Sequence, residues 1–279
     1  MKTLILYSYH EEGDSIVNLS FFLKHGLIHN PEYMYIFLIN NTNHLVKIKE
    51  TNNIKVIEII DGYDHFLLSY KWYLTTIKET NPNYLEQFDR FYFINSNCIG
   101  PFLPTIVDTN WIELFNKKLV SCDLIAPIVE FPPDSKGYSL FGIQTELNVP
   151  FLHLYMFGTN QSSIDLLINS LKDVNSNDNH TIINAERKIT GFFLLNNKKI
   201  QCLLLAFNNY NINDKSIWKY QLWNNNRVTC YEHSQNYFGL DVNPLEIIFI
   251  HNIVNKNLNH QSNISIYLYK MLKNYITWY

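Results

Sequence analysis

The sequence predicts an α/β protein in which helices flank a mixed, mostly parallel β-sheet. Short apolar runs rich in β-branched and aromatic residues recur along the first hundred residues. Longer stretches with apolar residues at helical spacing separate them, and each apolar run ends in polar residues. Strands that alternate with helices in this way form βαβ units, whose strands are parallel. Because no repeat or linker divides the 279 residues, we expect a single domain.

The chain opens with a strand, a helix and a second strand. The apolar run Thr3–Tyr7 predicts the first strand, and Ser8–His10 would lie at its carboxyl end. Asn18–Gly26 has apolar residues at helical spacing and ends in glycine, the residue most common just after a helix. Tyr35–Ile39 predicts the second strand.

Two further strands enclose a second helix. Lys55–Ile60 predicts the third strand, and the polar segment Asp61–Asp64 follows it. A helix is expected from about His65 to Thr80, before the buried fourth strand Phe91–Ile94. Asn95–Asn97 then ends that strand. Because the carboxyl ends of parallel strands meet at one edge, these polar clusters should converge where α/β sheets bind ligands.

The second half of the chain has weaker signals. Asp173–His180 is polar enough to predict a surface loop. His251 follows the apolar run Ile247–Ile250, so we expect it at the end of a strand. Apolar residues at helical spacing in the tail predict a C-terminal helix at about 262–279.

Composition limits the functions that this chain can have. Hydrophobic residues make up 47% of it, which is ample for a large core. A formal net charge of −3 argues against binding nucleic acid through its phosphates. No apolar run approaches the roughly 20 residues that a transmembrane helix needs. The four cysteines are scattered without a CxxC pair, which predicts free thiols in a reducing compartment.

Several motifs, in this order, resemble one family of enzymes. They are GYD at 62–64 with SYK at 69–71, FINS at 93–96 with GPFLP at 100–104, the strand region 150–160, TIINAE at 181–186 and YFGLDVNPLEIIF at 237–249. In this combination the chain resembles the rhamnan-synthesis glycosyltransferases and related GT-A-like enzymes of bacteria, algae and large viruses. The resemblance runs from the first strand to about Asn252.

The resemblance implies a GT-A-like, Rossmann-like fold, with a nucleotide-sugar half at about 1–105 and an acceptor half at about 106–255. It implies transfer of a sugar, such as a rhamnose-like one, from a UDP- or dTDP-sugar to a glycan or glycoconjugate. Glu186 would open a helix and act as the base of an inverting reaction, and the protein would work in the cytoplasm, that of a host if it is viral. The donor-binding residues implied are Ser8, Tyr9, His10, Asp61, Asp64, Lys71, Asn95, Ser96 and Asn97.

The metal requirement is the point at which the chain departs from this family. Related enzymes usually use an Asp-x-Asp segment to bind a divalent cation that neutralises the leaving diphosphate. Asn95 and Asn97 occupy those positions here, and amide oxygens bind Mg²⁺ or Mn²⁺ more weakly than carboxylates do. We therefore expect either loose binding, with Asn97 and His251 as ligands, or a cation-free site. No organic cofactor is expected.

Two other functional classes remain open. A catalytically degenerate protein with this fold would bind a sugar or nucleotide without turnover, which the neutral Asn-Ser-Asn triplet favours. A nucleotidyl-sugar hydrolase could use the same sheet. Structural explanations also exist for single residues: Glu186 could stabilise a helix start, and Lys71 could lie on the surface.

Overall fold

The computed structural model describes residues 1–40, 47–59, 65–103, 108–130, 139–140, 143–144, 149–172, 174, 179–208, 211–218 and 242–251. Asp61, Asp64 and the predicted C-terminal helix at 262–279 lie outside these residues. No helix in the described ranges is both long and apolar enough to cross a membrane. Cys98, Cys122 and Cys202 are buried free thiols, as the sequence predicts for these three.

The strands are β1 (Thr3–Tyr9), β2 (Tyr33–Ile39), β3 (Ile54–Glu58), β4 (Arg90–Asn95), β5 (Cys98–Ile99), β6 (Leu124–Ala126), β7 (Val129–Glu130), β8 (Ser139–Leu140), β9 (Ile143–Gln144), β10 (Phe151–Leu152), β11 (Met156–Asn160), β12 (Ile200–Cys202) and β13 (Ile250–His251). The helices are α1 (Ser15–His25), α2 (Phe66–Thr80), α3 (Trp111–Leu119), α4 (Ile164–Leu171), α5 (Asn179–Leu195), α6 (Lys215–Trp218) and α7 (Pro244–Ile247).

A seven-stranded sheet forms the centre of the molecule, in the order β3-β2-β1-β4-β11-β6-β12. β1 pairs in parallel with β2 and β4, and β2 pairs in parallel with β3. β11 is antiparallel to both β4 and β6, whereas β12 is parallel to β6. This topology confirms the predicted α/β class with a mostly parallel sheet, and it is compatible with a Rossmann-like fold.

Successive strand residues face opposite sides of the sheet, so each side has its own core. One core joins residues such as Leu6 and Phe93 to apolar residues of α2, α4 and α5. The other joins residues such as Tyr7 and Tyr92 to those of α1 and α3. Helices therefore cover both faces, as the strands' near-continuous apolar sequences require.

The order of the strands reverses between β1 and β4. The chain moves outward from β1 to β2 and β3, and it then returns to place β4 on the other side of β1. In open α/β sheets, ligands bind at such a reversal, beyond the carboxyl ends of the strands. Ser8 and Asn95 are register partners there.

Helix α2 begins where the sequence predicts, whereas α1 begins at Ser15, three residues before the predicted start. His65 precedes α2 in an extended conformation, and its Nδ1 accepts a hydrogen bond from the Leu67 backbone N–H at 3.2 Å. The imidazole thereby caps one of the unpaired N–H groups at a helix start. Its Nε2 is buried and has no hydrogen-bond partner among the described residues.

The second half departs from the sequence prediction in three places. α5 begins at Asn179, so Glu186 lies about two turns inside the helix and not at its start. Asn-His-Thr has no apolar periodicity, so the sequence does not mark this first turn. The predicted strand 150–160 is divided into β10 and β11 by a turn. His251 ends a strand, as predicted, but that strand has only two residues, because α7 and the positive φ of Ile248 interrupt the apolar run before it.

Candidate functional site

The segments that follow β1 and β4 are joined by hydrogen bonds. Ser96 N donates to the carbonyl oxygen of Ser8 at 2.9 Å. The Ser96 hydroxyl accepts from His10 N and donates to His10 O, both at 3.0 Å. Asn18 Nδ2 donates to Ser96 O at 2.8 Å and connects α1 to the same place. The structure therefore brings together Ser8, His10 and Ser96, which the sequence analysis placed in one site.

Asn40, directly after β2, extends this group towards α2. Its Nδ2 donates to Ser8 Oγ at 3.2 Å and to the carbonyl oxygen of Tyr9 at 3.1 Å. Its Oδ1 accepts from the Ser69 hydroxyl at 2.9 Å. We call this set the strand-end network: Ser8, His10, Asn18, Asn40, Ser69, Asn95 and Ser96. Every one of these side chains is neutral or, for His10, an imidazole.

The sequence analysis did not assign Asn18, Asn40 or Ser69 to the site. Asn40 carried a usable signal, since it follows a predicted strand just as Asn95 does. Asn18 and Ser69 lie within helices, where a polar residue is not by itself informative.

Burial changes the roles that these residues can have. Ser8, Asn95 and Ser96 are each only 2% exposed, so they support the backbone beneath the site. Tyr9 is fully buried within β1, which gives no support to direct donor binding by its ring. His10, Asn97 and Lys71 are the partly exposed members of the predicted donor-binding set among the described residues.

Asn95 has one hydrogen-bonding group without a partner in the part of the chain that the structure describes. Its Oδ1 accepts from Asn97 N at 2.8 Å, and its own backbone N–H donates to Tyr155 O at 3.0 Å. Its Nδ2 is buried, and no described residue provides an acceptor for it. An unpaired buried donor costs about 1–3 kcal/mol, so a ligand oxygen that reached this amide would recover that free energy.

The described residues do not by themselves form a cation site. The Asn95 carbonyl is already used by Asn97 N, and no group of three or more His, Cys, Asp or Glu side chains within the described ranges could hold a metal ion. Burial, then the charge of His153, lowers the pKa of His251 to about 3, so its imidazole is neutral. Asn97 and His251 alone are too few ligands for a divalent cation, and metal binding stays a prediction.

Lys71 lies elsewhere on α2. Its ammonium donates to the carbonyl oxygens of Lys172 and Val174, at 2.7 and 3.0 Å, beyond the end of α4. A cation at the carboxyl end of a helix is stabilised by the helix dipole. These contacts explain the lysine structurally and give no support to the predicted diphosphate role.

A second, charged group surrounds Glu186. Glu186 Oε1 accepts from the Leu154 backbone N–H at 2.8 Å, and Oε2 lies 3.7 Å from His153 Nδ1. The other ring nitrogen, His153 Nε2, is 3.0 Å from Glu130 Oε2. An imidazole thus lies between two carboxylates. We call Glu130, His153 and Glu186 the Glu186 cluster.

The environment of Glu186 suits a base. Burial raises the pKa of its carboxyl, and the charge of His153 and the Leu154 N–H act in the opposite direction. The side chain is almost fully buried, with the residue 7% exposed. A carboxylate with a raised pKa accepts a proton more readily than an exposed one, as general-base catalysis requires.

The strand-end network and the Glu186 cluster meet at two consecutive residues. Leu154 N donates to Glu186, and the carbonyl oxygen of Tyr155 accepts from Asn95 N. The ring of His251 stacks on Tyr155 with centroids 5.2 Å apart. Three separately predicted site residues, Asn95, Glu186 and His251, therefore lie around one short segment.

Comparison with protein-family models finds no match for this chain, and comparison with curated proteins finds none either. The geometry of the chain itself carries the functional argument.

Proposed function

We propose that this protein is a GT-A-like glycosyltransferase that transfers a sugar from a UDP- or dTDP-sugar to a hydroxyl of a glycan or glycoconjugate. The donor would bind beyond the ends of β1 and β4, where the strand order reverses. One observation carries the proposal: Leu154 and Tyr155 connect this strand end directly to the buried carboxylate of Glu186.

Glu186 would act as the general base. The Leu154 N–H holds Oε1, whereas Oε2 accepts no hydrogen bond from the described residues. Oε2 would take the proton of the acceptor hydroxyl as its oxygen attacks the anomeric carbon. The bond from that carbon to the diphosphate breaks, and the diphosphate leaves with the electron pair. Attack on the face opposite the diphosphate inverts the anomeric centre.

The strand-end network would provide the donor platform. Its buried hydrogen bonds fix the backbone at Ser8–His10 and Asn95–Asn97 beneath the proposed donor site, where the partly exposed His10 and Asn97 would be able to contact the donor. A divalent cation, where bound, would offset the charge of the leaving diphosphate.

A binding protein without turnover is the second candidate, and one observation favours it. The triplet at 95–97 has amides where carboxylates would bind a cation, and two of its side chains are already engaged in internal hydrogen bonds. Such a site could retain donor affinity while it lacks the charge neutralisation that transfer needs.

A thermal-shift screen against nucleotide sugars, with and without Mn²⁺, tests donor binding first. Donor consumption is then measured with and without added glycan acceptors. We expect stabilisation by a UDP- or dTDP-sugar and acceptor-dependent nucleotide release. Stabilisation without turnover would support the binding protein, acceptor-independent release would indicate a hydrolase, and no stabilisation by any nucleotide sugar would refute the proposal.

A further inference from the structure

Two side chains on α5 receive hydrogen bonds from the same short segment. Glu186 Oε1 accepts from Leu154 N, and Thr190 Oγ1, one turn later, accepts from Leu152 N at 3.1 Å. Both residues are buried, at 7% and 0% exposure. A neutral hydroxyl is sufficient to join helix and strand at position 190. The negative charge at position 186 is therefore not required by the hydrogen bond alone.

His153 is held in place beside that charge. β7 pairs with β10, and Phe151 is the register partner of Glu130, so the strand pairing brings the Glu130 carboxylate near the residue that follows β10. His153 Nε2 then contacts Glu130 at 3.0 Å. The Phe151 ring packs 4.8 Å from the imidazole, between centroids. The ring is thus held by the contact with the Glu130 carboxylate at one edge and by an aromatic neighbour.

We propose that His153, anchored by Glu130, is a positioning residue that keeps the buried Glu186 side chain as a carboxylate with one oxygen available to the substrate. This inference rests on the proposed function, since it concerns how the proposed base is prepared.

The 3.7 Å separation of His153 Nδ1 from Glu186 Oε2 is central to this role. It is short enough for a strong charge interaction in a buried site, yet too long for a hydrogen bond. Oε2 therefore feels the positive charge of the imidazolium without giving up its lone pairs. A hydrogen bond at this position would compete with the acceptor hydroxyl for the same oxygen.

The other charged neighbours do not replace His153. Glu130 is negative and opposes ionisation of Glu186, whereas Arg187 favours it less than His153 does. The Arg187 guanidinium lies over the Phe151 ring, 4.6 Å from its centroid. His251, the remaining nearby imidazole, is neutral because burial lowers its pKa to about 3. His153 is consequently the main cationic influence on Glu186 among the described residues.

The arrangement also suits the state after proton transfer. After Glu186 has taken the proton and become neutral, the imidazolium of His153 is still paired with the Glu130 carboxylate. The cation is therefore paired both before and after proton transfer, and an unpaired cation in the protein interior would be costly.

The test compares His153→Gln with Thr190→Val, which removes the neighbouring buried hydrogen bond but no charge. The Glu186 carboxyl is titrated by ¹³C NMR in the free protein, with its signal assigned by loss in Glu186→Gln. Transfer rate is measured against pH. We expect His153→Gln to raise the titration midpoint by about one pH unit or more and to move the acid limb of kcat/KM, which reports the free protein, equally. Each unit lowers the rate about tenfold at pH values below both midpoints. The KM for donor should not change.

Thr190→Val should lower the melting temperature and leave the midpoint and the pH profile unchanged. An unaltered midpoint in folded His153→Gln would overturn the inference. If that variant does not fold, wild-type NMR decides, because the imidazole of His153 must remain charged throughout the titration of Glu186. A wild-type protein that transfers no sugar would refute the proposed function, whereas the NMR titration still reports whether His153 controls Glu186.

Discussion

The strand-end network and the Glu186 cluster are both buried and polar, but they are built from different chemistry. In the network, Ser8, Asn40 and Ser69 exchange hydrogen bonds between neutral groups. In the cluster, an imidazole lies between two carboxylates. Under the proposed function the two groups would have different roles: the neutral groups would fix the backbone, and the charged groups would take part in proton transfer.

Energetic arguments support this division. A neutral intramolecular hydrogen bond contributes about 0.5–1.5 kcal/mol, and its groups cost little when both are paired. A buried ion costs several kcal/mol before its partner compensates. Thr190 shows that the same helix can join the same segment without a charge. Stability alone would therefore favour a neutral residue at position 186.

The sharpest test of the comparison is Glu186→Gln, which keeps the shape of the side chain but cannot take a proton. Positioned bases contribute about 10²- to 10⁴-fold in rate, so we expect sugar transfer to fall by that factor. Donor affinity should remain near the wild-type value. Single-turnover kinetics and donor titration measure the two quantities separately.

Normal transfer by Glu186→Gln would show that the carboxylate has only a structural role. Loss of folding together with donor binding would lead to the same conclusion. The Thr190→Val variant serves as the matched control, since it perturbs the same helix–strand contact.

Substitutions in the strand-end network should lower stability and donor affinity without changing the proton-transfer step. Asn40→Ala removes the donors to Ser8 Oγ and Tyr9 O and leaves the Ser69 hydroxyl without its acceptor. Because unsatisfied buried polar groups cost about 1–3 kcal/mol each, we expect a loss of about 2–3 kcal/mol in the free energy of unfolding. Urea denaturation measures it.

Ser20→Ala is the control for Asn40→Ala. The Ser20 hydroxyl donates to Ile16 O on the exposed side of α1, where water can replace it. This variant should change stability by less than about 0.5 kcal/mol. If both substitutions lower the free energy of unfolding equally, the buried hydrogen bonds of Asn40 contribute no more to stability than one exposed hydrogen bond.

A smaller effect should appear in the pH dependence of stability. Burial lowers the pKa of His65 to about 4, from 6.5. Between these values the unfolded chain binds a proton that folded His65 does not, so stability is present above pH 6.5 and is lost as the pH falls towards 4. The slope is at most about 1.4 kcal/mol per pH unit.

His65→Asn should reduce that slope, because asparagine can still accept from Leu67 N but does not titrate. Thermal denaturation at pH 6.5 and 5.5 compares the two proteins. If the stability of the variant depends on pH in the same way, His65 does not change its protonation on unfolding between pH 5.5 and 6.5. It would then be protonated in both the folded and the unfolded protein, or neutral in both.

The smallest expected change is the response to chelation. The described residues supply few cation ligands, so any Mn²⁺ should bind loosely and largely through the diphosphate oxygens. We expect no metal to copurify, and we expect a chelator to lower transfer in part. A stoichiometric metal found by elemental analysis would contradict this expectation, and full activity in chelator would show that no metal is needed.

The first half of the fold was predictable because its signals are local. Continuous apolar runs of four or more residues mark β1, β2 and β4, and a glycine follows α1. The parallel arrangement then requires Ser8 and Asn95 to meet. Their burial was not predictable, because it depends on neighbouring side chains from α1 and α2.

The Glu186 cluster was only partly predictable. Glu186 was selected through a resemblance, with its place in the helix wrong by about two turns. Glu130 and His153 were missed, because two-residue strands such as β7 and β10 have no periodicity to detect. The Lys71 contacts with Lys172 and Val174 likewise join residues far apart in sequence, and no spacing rule indicates them.

Because β11 runs antiparallel to its neighbours, insertions before and after it should affect opposite edges of the sheet. The five residues of β11, Met156–Asn160, span about 17 Å. Tyr155, whose carbonyl oxygen accepts from Asn95 N, precedes the strand, and Gln161, whose N–H donates to Asp89 O at the opposite edge, follows it. Insertions after Asn160 would therefore alter the edge remote from Glu186. An insertion of the same length between Leu152 and Met156 would instead separate Glu186, the candidate base, from the strand ends. Tolerance to insertion should consequently differ sharply between the two ends of this one strand.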